Sequence, residues 1–171
     1  MRTSILITSF LPWRAHQRSN SSDDLIAMVQ AKGLMPSDAV WLRHVPVNFE
    51  LAPMQVESEI RRCRPRAVIC CGMAETRSRL SVERLAKHRL VLSTPMDTKR
   101  LVSNTLLSEI SEDAGTYVCN YLYYSVLSLA KEVDWQMKGV FIHIPVLKPD
   151  NQSLLLRDFV SLIETVRRME C

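Results

Sequence analysis

Two periods alternate along this chain, and that alternation limits what it can fold into. Short apolar runs of strand length stand at 5–10, 40–46, 67–71 and 139–145, and between them apolar residues recur at helical spacing. Ser21-Ser22-Asp23-Asp24 offers N-caps to a helix carrying Leu25, Met28 and Val29 on one face, with Gly33 at its C′ position. Pro53 opens a second helix, with Val56, Ile60 and Cys63 at i, i+4 and i+7, and Pro65 stops it. Ala67-Val68-Ile69-Cys70-Cys71 has no polar member, the mark of a strand buried on both faces, and Gly72 is expected to break it. The stretch after it is less regular, with a weak helix expected over 97–109. A strong helix then carries Leu122, Val126, Leu129, Ala130 and Val133, and a terminal one Leu155, Phe159, Leu162, Ile163 and Val166. Alternation of this kind predicts an α/β fold: a three-layer open sandwich, with a mostly parallel twisted sheet and helices on both faces. The expectation is one domain over 1–171.

Composition removes several functional classes. Glycine occurs only four times in 171 residues, which excludes collagen, flexible linkers and phosphate-binding loops rich in glycine. Lys and Arg exceed Asp and Glu by 22 to 18, but the basic residues are interleaved with acids. Arg61, Arg62, Arg64 and Arg66 read as a solvated helix end rather than a nucleic-acid surface. The five cysteines, Cys63, Cys70, Cys71, Cys119 and Cys171, are odd in number and include an adjacent pair. They therefore suggest neither a disulfide framework nor a zinc site, and a reducing cytoplasmic location is expected. Met1-Arg2-Thr3 leads into a run too short and too polar for a signal peptide, and no stretch approaches the ~20 apolar residues of a membrane span.

In an open α/β sheet, functional groups gather at the carboxyl ends of strands. His143 lies in an otherwise apolar strand, Cys119 at the start of the strong helix, and Glu83 in the segment after the strand that precedes Gly72. A helix N-terminus stabilises a thiolate, and its free N–H groups stabilise an oxyanion. A histidine would take the thiol proton and a carboxylate would fix the imidazole tautomer. From residue identity alone, His143 reads equally as a core histidine and Cys119 as a small core filler. Glu83, near Arg79 and Arg84, reads equally as part of a surface ion pair.

Ala114-Gly115-Thr116-Tyr117-Val118-Cys119-Asn120 resembles the nucleophile motif of the type I pyroglutamyl peptidases, or pyrrolidone-carboxylate peptidases. Phe141-Ile142-His143-Ile144-Pro145 is similar to that family's histidine motif, and Leu80-Ser81-Val82-Glu83-Arg84-Leu85-Ala86 to its glutamate motif, in the family's order. The resemblance implies a cytoplasmic cysteine peptidase that removes N-terminal pyroglutamate through a thioester, with Cys119, His143 and Glu83 as a catalytic triad. It implies no metal or organic cofactor. The partner is a peptide with a blocked N-terminus, not a nucleic acid or a membrane, and a homo-oligomer is compatible with it.

The substrate-reading segments depart from the family pattern. Where the family has Gly-Phe-(Asp/Glu)-Pro-Phe-Gly-Gly, this chain has Ser9-Phe10-Leu11-Pro12-Trp13-Arg14-Ala15. Phe10 and Trp13 keep the aromatic positions that would hold a lactam ring, and equally read as core aromatics. Where the family has Gly-Gln-Ala-Gly-Gly-Arg, this chain has Gly72-Met73-Ala74-Glu75-Thr76-Arg77, so Met73 replaces a hydrogen-bonding glutamine and Arg77 is kept. His88 stands in an asparagine position, and a long covering loop is missing before Pro95. The site is therefore expected to be more open or differently covered. Two further readings stand beside the pyroglutamyl peptidase: a cysteine hydrolase of another N-terminal or cyclic amide, and a noncatalytic binding protein on the same fold.

Overall fold

The computed structural model describes residues 5–34 and 36–170; Met1-Arg2-Thr3 and Cys171 lie outside the described residues. The first half runs β1 (Ile5–Phe10), α1 (Ser21–Ala31), β2 (Ala39–Val45), α2 (Leu51–Cys63) and β3 (Ala67–Met73). Three short strands follow, β4 (Leu80–Glu83), β5 (Leu85–Lys87) and β6 (Val91–Ser93). The chain then forms α3 (Thr98–Val102), β7 (Ser108–Ser111), α4 (Val118–Glu132), β8 (Lys138–Ile144) and α5 (Gln152–Glu170).

Six strands form one sheet in the order β2-β1-β3-β8-β4-β7; every pairing is parallel except β8 with β4, so β4 and β7 run opposite to the other four. Because side chains alternate across a strand, each apolar run feeds two cores. Ile5, Ile7, Ile69, Cys71, Ile142, Leu80 and Val82 pack with α1 and α5. Leu6, Phe10, Val68, Cys70 and Phe141 pack on the other face with α2 and α4. This is the expected three-layer architecture, and it assigns His143, of the same parity as Phe141, to the α4 side.

Several local expectations change. The stretch after β3 contains β4, β5 and β6. Gly72 does not end β3, which continues to Met73. The weak helix over 97–109 is only α3, and β7 follows it. There Asp158 of α5 accepts the N–H groups of Leu106 (2.9 Å) and Leu107 and holds the chain extended, a tertiary contact that overrides helical spacing. The N-cap of α1 is Asn20, whose Oδ1 accepts Ser22 N–H at 3.0 Å, rather than a residue of 21–24. α2 begins at Leu51, two residues before Pro53, because Asn48 Oδ1 accepts the N–H groups of Glu50 and Leu51, each at 2.9 Å. No helix of the described residues is long and apolar enough to cross a membrane.

Candidate active site

The register of the sheet brings two of the sequence-selected positions together. Gly72 of β3 lies opposite His143 of β8, and a Cβ at Gly72 would come within 2.8 Å of the Cys119 sulfur. Cys119 is the second residue of α4, reached through Gly115 in the left-handed region (φ +78°). The first-turn N–H groups of α4 have no intrahelical acceptors, and the N-cap residue Tyr117 makes no side-chain cap bond to them. Glycine at position 72 thus lets the start of α4 descend onto the sheet beside His143.

Glu83 ends β4 and is fully buried opposite Phe141, two residue pairs along from the Ser81–His143 pair and on the same face. Its Oε1 lies 2.7 Å from His143 Nδ1 and accepts Arg77 Nη1 at 2.6 Å. Burial would raise the Glu83 carboxyl, but the His143 hydrogen bond and charge, with Ser111 and Arg77 adding to them, hold it below its ordinary value. An ionised carboxylate only accepts, so Nδ1 carries the imidazole proton and Nε2 is the basic nitrogen. Among the described residues Nε2 has no hydrogen-bond partner. Tyr123 donates to the Glu83 carbonyl at 2.8 Å and ties this part of β4 to α4. The helix start was expected to favour a thiolate at Cys119. Instead burial dominates, with the charges of Cys70 and Glu83 in support, and pushes the thiol up to about 12.

Cys119 and His143 open into a pocket of about 530 Å³. Of the expected substrate residues, Phe10, Trp13 and Met73 lie on its wall and Arg77 does not. The Arg77 guanidinium is occupied by Glu83 and by the Asp113 carbonyl at 2.8 Å, so it stands behind the carboxylate. Met73 has its sulfur 3.5 Å from the Ser21 N–H, turned toward the start of α1. Sequence reasoning missed Arg14, Asn20, Thr76 and Tyr117 on the wall. Tyr117 sits within the nucleophile motif, two residues before Cys119, and that proximity was its available signal.

The loop after β1 is held by local and distant contacts. Gln17 Oε1 accepts the N–H groups of Trp13 (2.9 Å) and Arg14 (3.2 Å). Glu75, from the β3–β4 loop, takes Arg14 at 3.2 Å and His16 at 2.8 Å. On the other side of Cys119, the Asn120 amide donates to the Lys87 carbonyl at 2.6 Å and accepts the Lys87 N–H at 2.8 Å, as a strand would. This fixes the antiparallel β5–β6 hairpin on α4, and His88 at its tip packs edge-on against Tyr121 and Tyr124.

The family profile described as pyroglutamyl peptidase matches residues 3–91 and 92–156. The pyrrolidone-carboxylate peptidase 2 of Caldanaerobacter subterraneus subsp. tengcongensis is 28% identical over 194 aligned positions, covering 94% of this chain and 93% of that one. The pyrrolidone-carboxylate peptidase of Streptococcus pneumoniae is 28% identical over 198 positions, covering 94% and 89%. Both alignments exceed 171 positions, so these relatives have segments that this chain lacks. The profile match divides between Val91 and Leu92, where the sequence lacks the covering loop. Among solved structures, pyroglutamyl peptidase I of Bacillus amyloliquefaciens superposes with a TM-score of 0.83 at 20% identity, covering 98% of each chain. The pyrrolidone carboxyl peptidase of Thermococcus litoralis gives 0.80 at 22%, covering 96% and 93%.

Proposed function

This chain belongs to the pyroglutamyl peptidase family, and from that premise we infer that it is a cysteine peptidase removing N-terminal pyroglutamate from peptides. Cys119 is the nucleophile, His143 the general acid–base and Glu83 the residue that orients His143. The observation that carries this assignment is the buried 2.7 Å contact of Glu83 with His143 Nδ1, on the pocket that also holds Cys119. His143 Nε2 takes the Cys119 thiol proton as the sulfur attacks the carbonyl that joins pyroglutamate to the next residue. The first-turn N–H groups of α4 receive the oxyanion. The imidazolium, stabilised by the Glu83 carboxylate, then protonates the leaving amine. Water attacks the thioester with His143 as base, releasing pyroglutamate and restoring the thiol. Phe10 and Trp13 hold the lactam ring, and Arg77 positions Glu83.

The chemistry calls for no metal or organic cofactor and addresses neither nucleic acid nor membrane. The free thiols of Cys63, Cys70, Cys71 and Cys119 support a place in the reducing cytoplasm, and assembly into a homo-oligomer is compatible with the reading. Met73 on the wall favours a second reading, in which the same machinery hydrolyses a different N-terminal or cyclic amide, because a thioether cannot donate to a lactam carbonyl. Incubation with pyroglutamyl-aminomethylcoumarin tests the first reading. Release by the native protein and none by Cys119→Ala is expected. No release by the native protein overturns it. In that case, pH-dependent alkylation of Cys119 marks the second reading, and an inert Cys119 marks a noncatalytic binding protein.

A further inference from the structure

Beyond the lactam pocket, the surface carries a connected row of rings. Trp13 and Tyr117, both on the pocket wall, lie 4.7 Å apart between centroids. Phe49 stands edge-on to Tyr117 and to Tyr121, 5.7 Å from each. His88 continues the row, 5.1 Å from Tyr121 and 5.3 Å from Tyr124. The last three of these residues also border a second groove of about 390 Å³. Trp13 is 39% exposed, Tyr117 45% and Phe49 45%, so the row is open to solvent where it leaves the pocket.

We propose that this row is the binding track for the leaving part of the substrate, and that it selects peptides with an aromatic or large apolar residue directly after the pyroglutamate. The inference rests on the peptidase reading. Tyr117 at the N-cap of α4 and Tyr121 and Tyr124 within it follow one another at i, i+4 and i+7, a span of about 10 Å at ~1.5 Å rise per residue. An extended peptide covers ~3.3 Å per residue, so the track accommodates about three residues beyond the scissile bond. Ring faces and edges bind a further aromatic side chain by offset or T-shaped contact, and they give a carboxylate side chain no donor in exchange for its hydration, while the Arg14 guanidinium over Trp13 is already paired with Glu75. The shortened chain between His88 and Pro95 leaves this face uncovered. A second copy of the chain seated here would lie across Trp13 and Tyr117 and close the pocket mouth, whereas a substrate peptide must leave the pocket by that mouth.

The test compares kcat/KM for two amidated peptides, pyroglutamyl-Phe-Ala and pyroglutamyl-Asp-Ala, by chromatography of released pyroglutamate. We expect a preference for the Phe peptide of about tenfold, the size of one favourable aromatic contact. Phe49→Ala should bring the ratio close to one, and Phe49→Leu should retain part of it. Melting curves of both variants establish that they are folded. If either variant fails to fold, the native ratio alone decides. Equal rates on both peptides overturn the track and leave the peptidase reading intact, whereas failure to release pyroglutamate from either overturns that reading first. Concentration-dependent self-association that Phe49→Ala abolishes, together with a flat ratio, assigns the row to a second copy and also overturns the track.

Discussion

The substitution Gly72→Ala probes how the start of α4 is seated on the sheet. The new Cβ would stand 2.8 Å from the Cys119 sulfur and 2.8 Å from Phe141 Cζ. Non-bonded carbons are comfortable at ~3.5–4.0 Å, so each contact is short by about 1 Å. Phe141 is fully buried between Tyr123 and His143, with centroids at 5.9 and 4.8 Å, so its ring has no free space to enter. The sulfur, which faces the pocket, is the group that yields. Displacing a reacting atom by about 1 Å costs on the order of 10²-fold in rate. Overpacking a filled site costs about 1–3 kcal/mol, and a chain of this size loses about 2–4 °C in Tm per kcal/mol. The assay is kcat on pyroglutamyl-aminomethylcoumarin beside a calorimetric melt and the alkylation rate of Cys119. A variant with native Tm and kcat within a few-fold of native would refute the claim that the helix start needs glycine beneath it.

Two further perturbations follow from the same geometry. Glu83→Gln removes the anion that holds His143 in the productive tautomer, so kcat should fall on the order of 10²–10⁴-fold with KM nearly unchanged, because Glu83 is not on the pocket wall; a change carried by KM would sink this role. Asp23 is lowered from 3.8 to about 2, because hydrogen bonds from Arg43, Ser9 and His44 and the Arg43 charge outweigh its burial. A depressed carboxyl stabilises the fold fully above its unfolded value and loses that contribution as pH falls through the folded one. Asp23→Asn should therefore cost about 2 kcal/mol near neutrality and progressively less between about pH 4 and 2; a cost that does not vary with pH in urea melts rules the linkage out.

Which parts of the molecule were legible in the sequence follows from burial. β1, β3 and β8 face cores on both sides, and their unbroken apolar runs announce them. β4 is equally buried, but it alternates Leu80 and Val82 with Ser81 and Glu83, so Glu83 reads as lying in the segment after a strand rather than at the end of one. β7 is a half-exposed edge strand held by Asp158, a partner some fifty residues away, and no local pattern encodes it. Gly72 read as punctuation because a glycine required by a neighbour's approach looks the same in sequence as one required by a turn. Arg77 was placed with the substrate because its position in a motif carries no sign of which way its guanidinium turns.

The departures from the family pattern also become intelligible once the loops are seen together. Arg14 stands where the family has a glycine, and Glu75 replaces another glycine 61 residues later. The two meet at 3.2 Å, and His16 joins Glu75 at 2.8 Å. Exposed pairs of this kind contribute about 0–1 kcal/mol to stability, so stability does not account for them. Their effect falls on orientation: the Arg14 guanidinium lies 4.3 Å over the Trp13 ring, which in turn packs against Tyr117. A loop that glycines would leave mobile is thereby clasped, and the wall of the pocket is a stack of Arg14, Trp13 and Tyr117. Cys119, His143 and Glu83, by contrast, are placed by a helix start and two paired strands. Residues fixed by the sheet hold their geometry while the loops around them change, so substrate preference can diverge in this chain without moving the three groups proposed to carry the reaction.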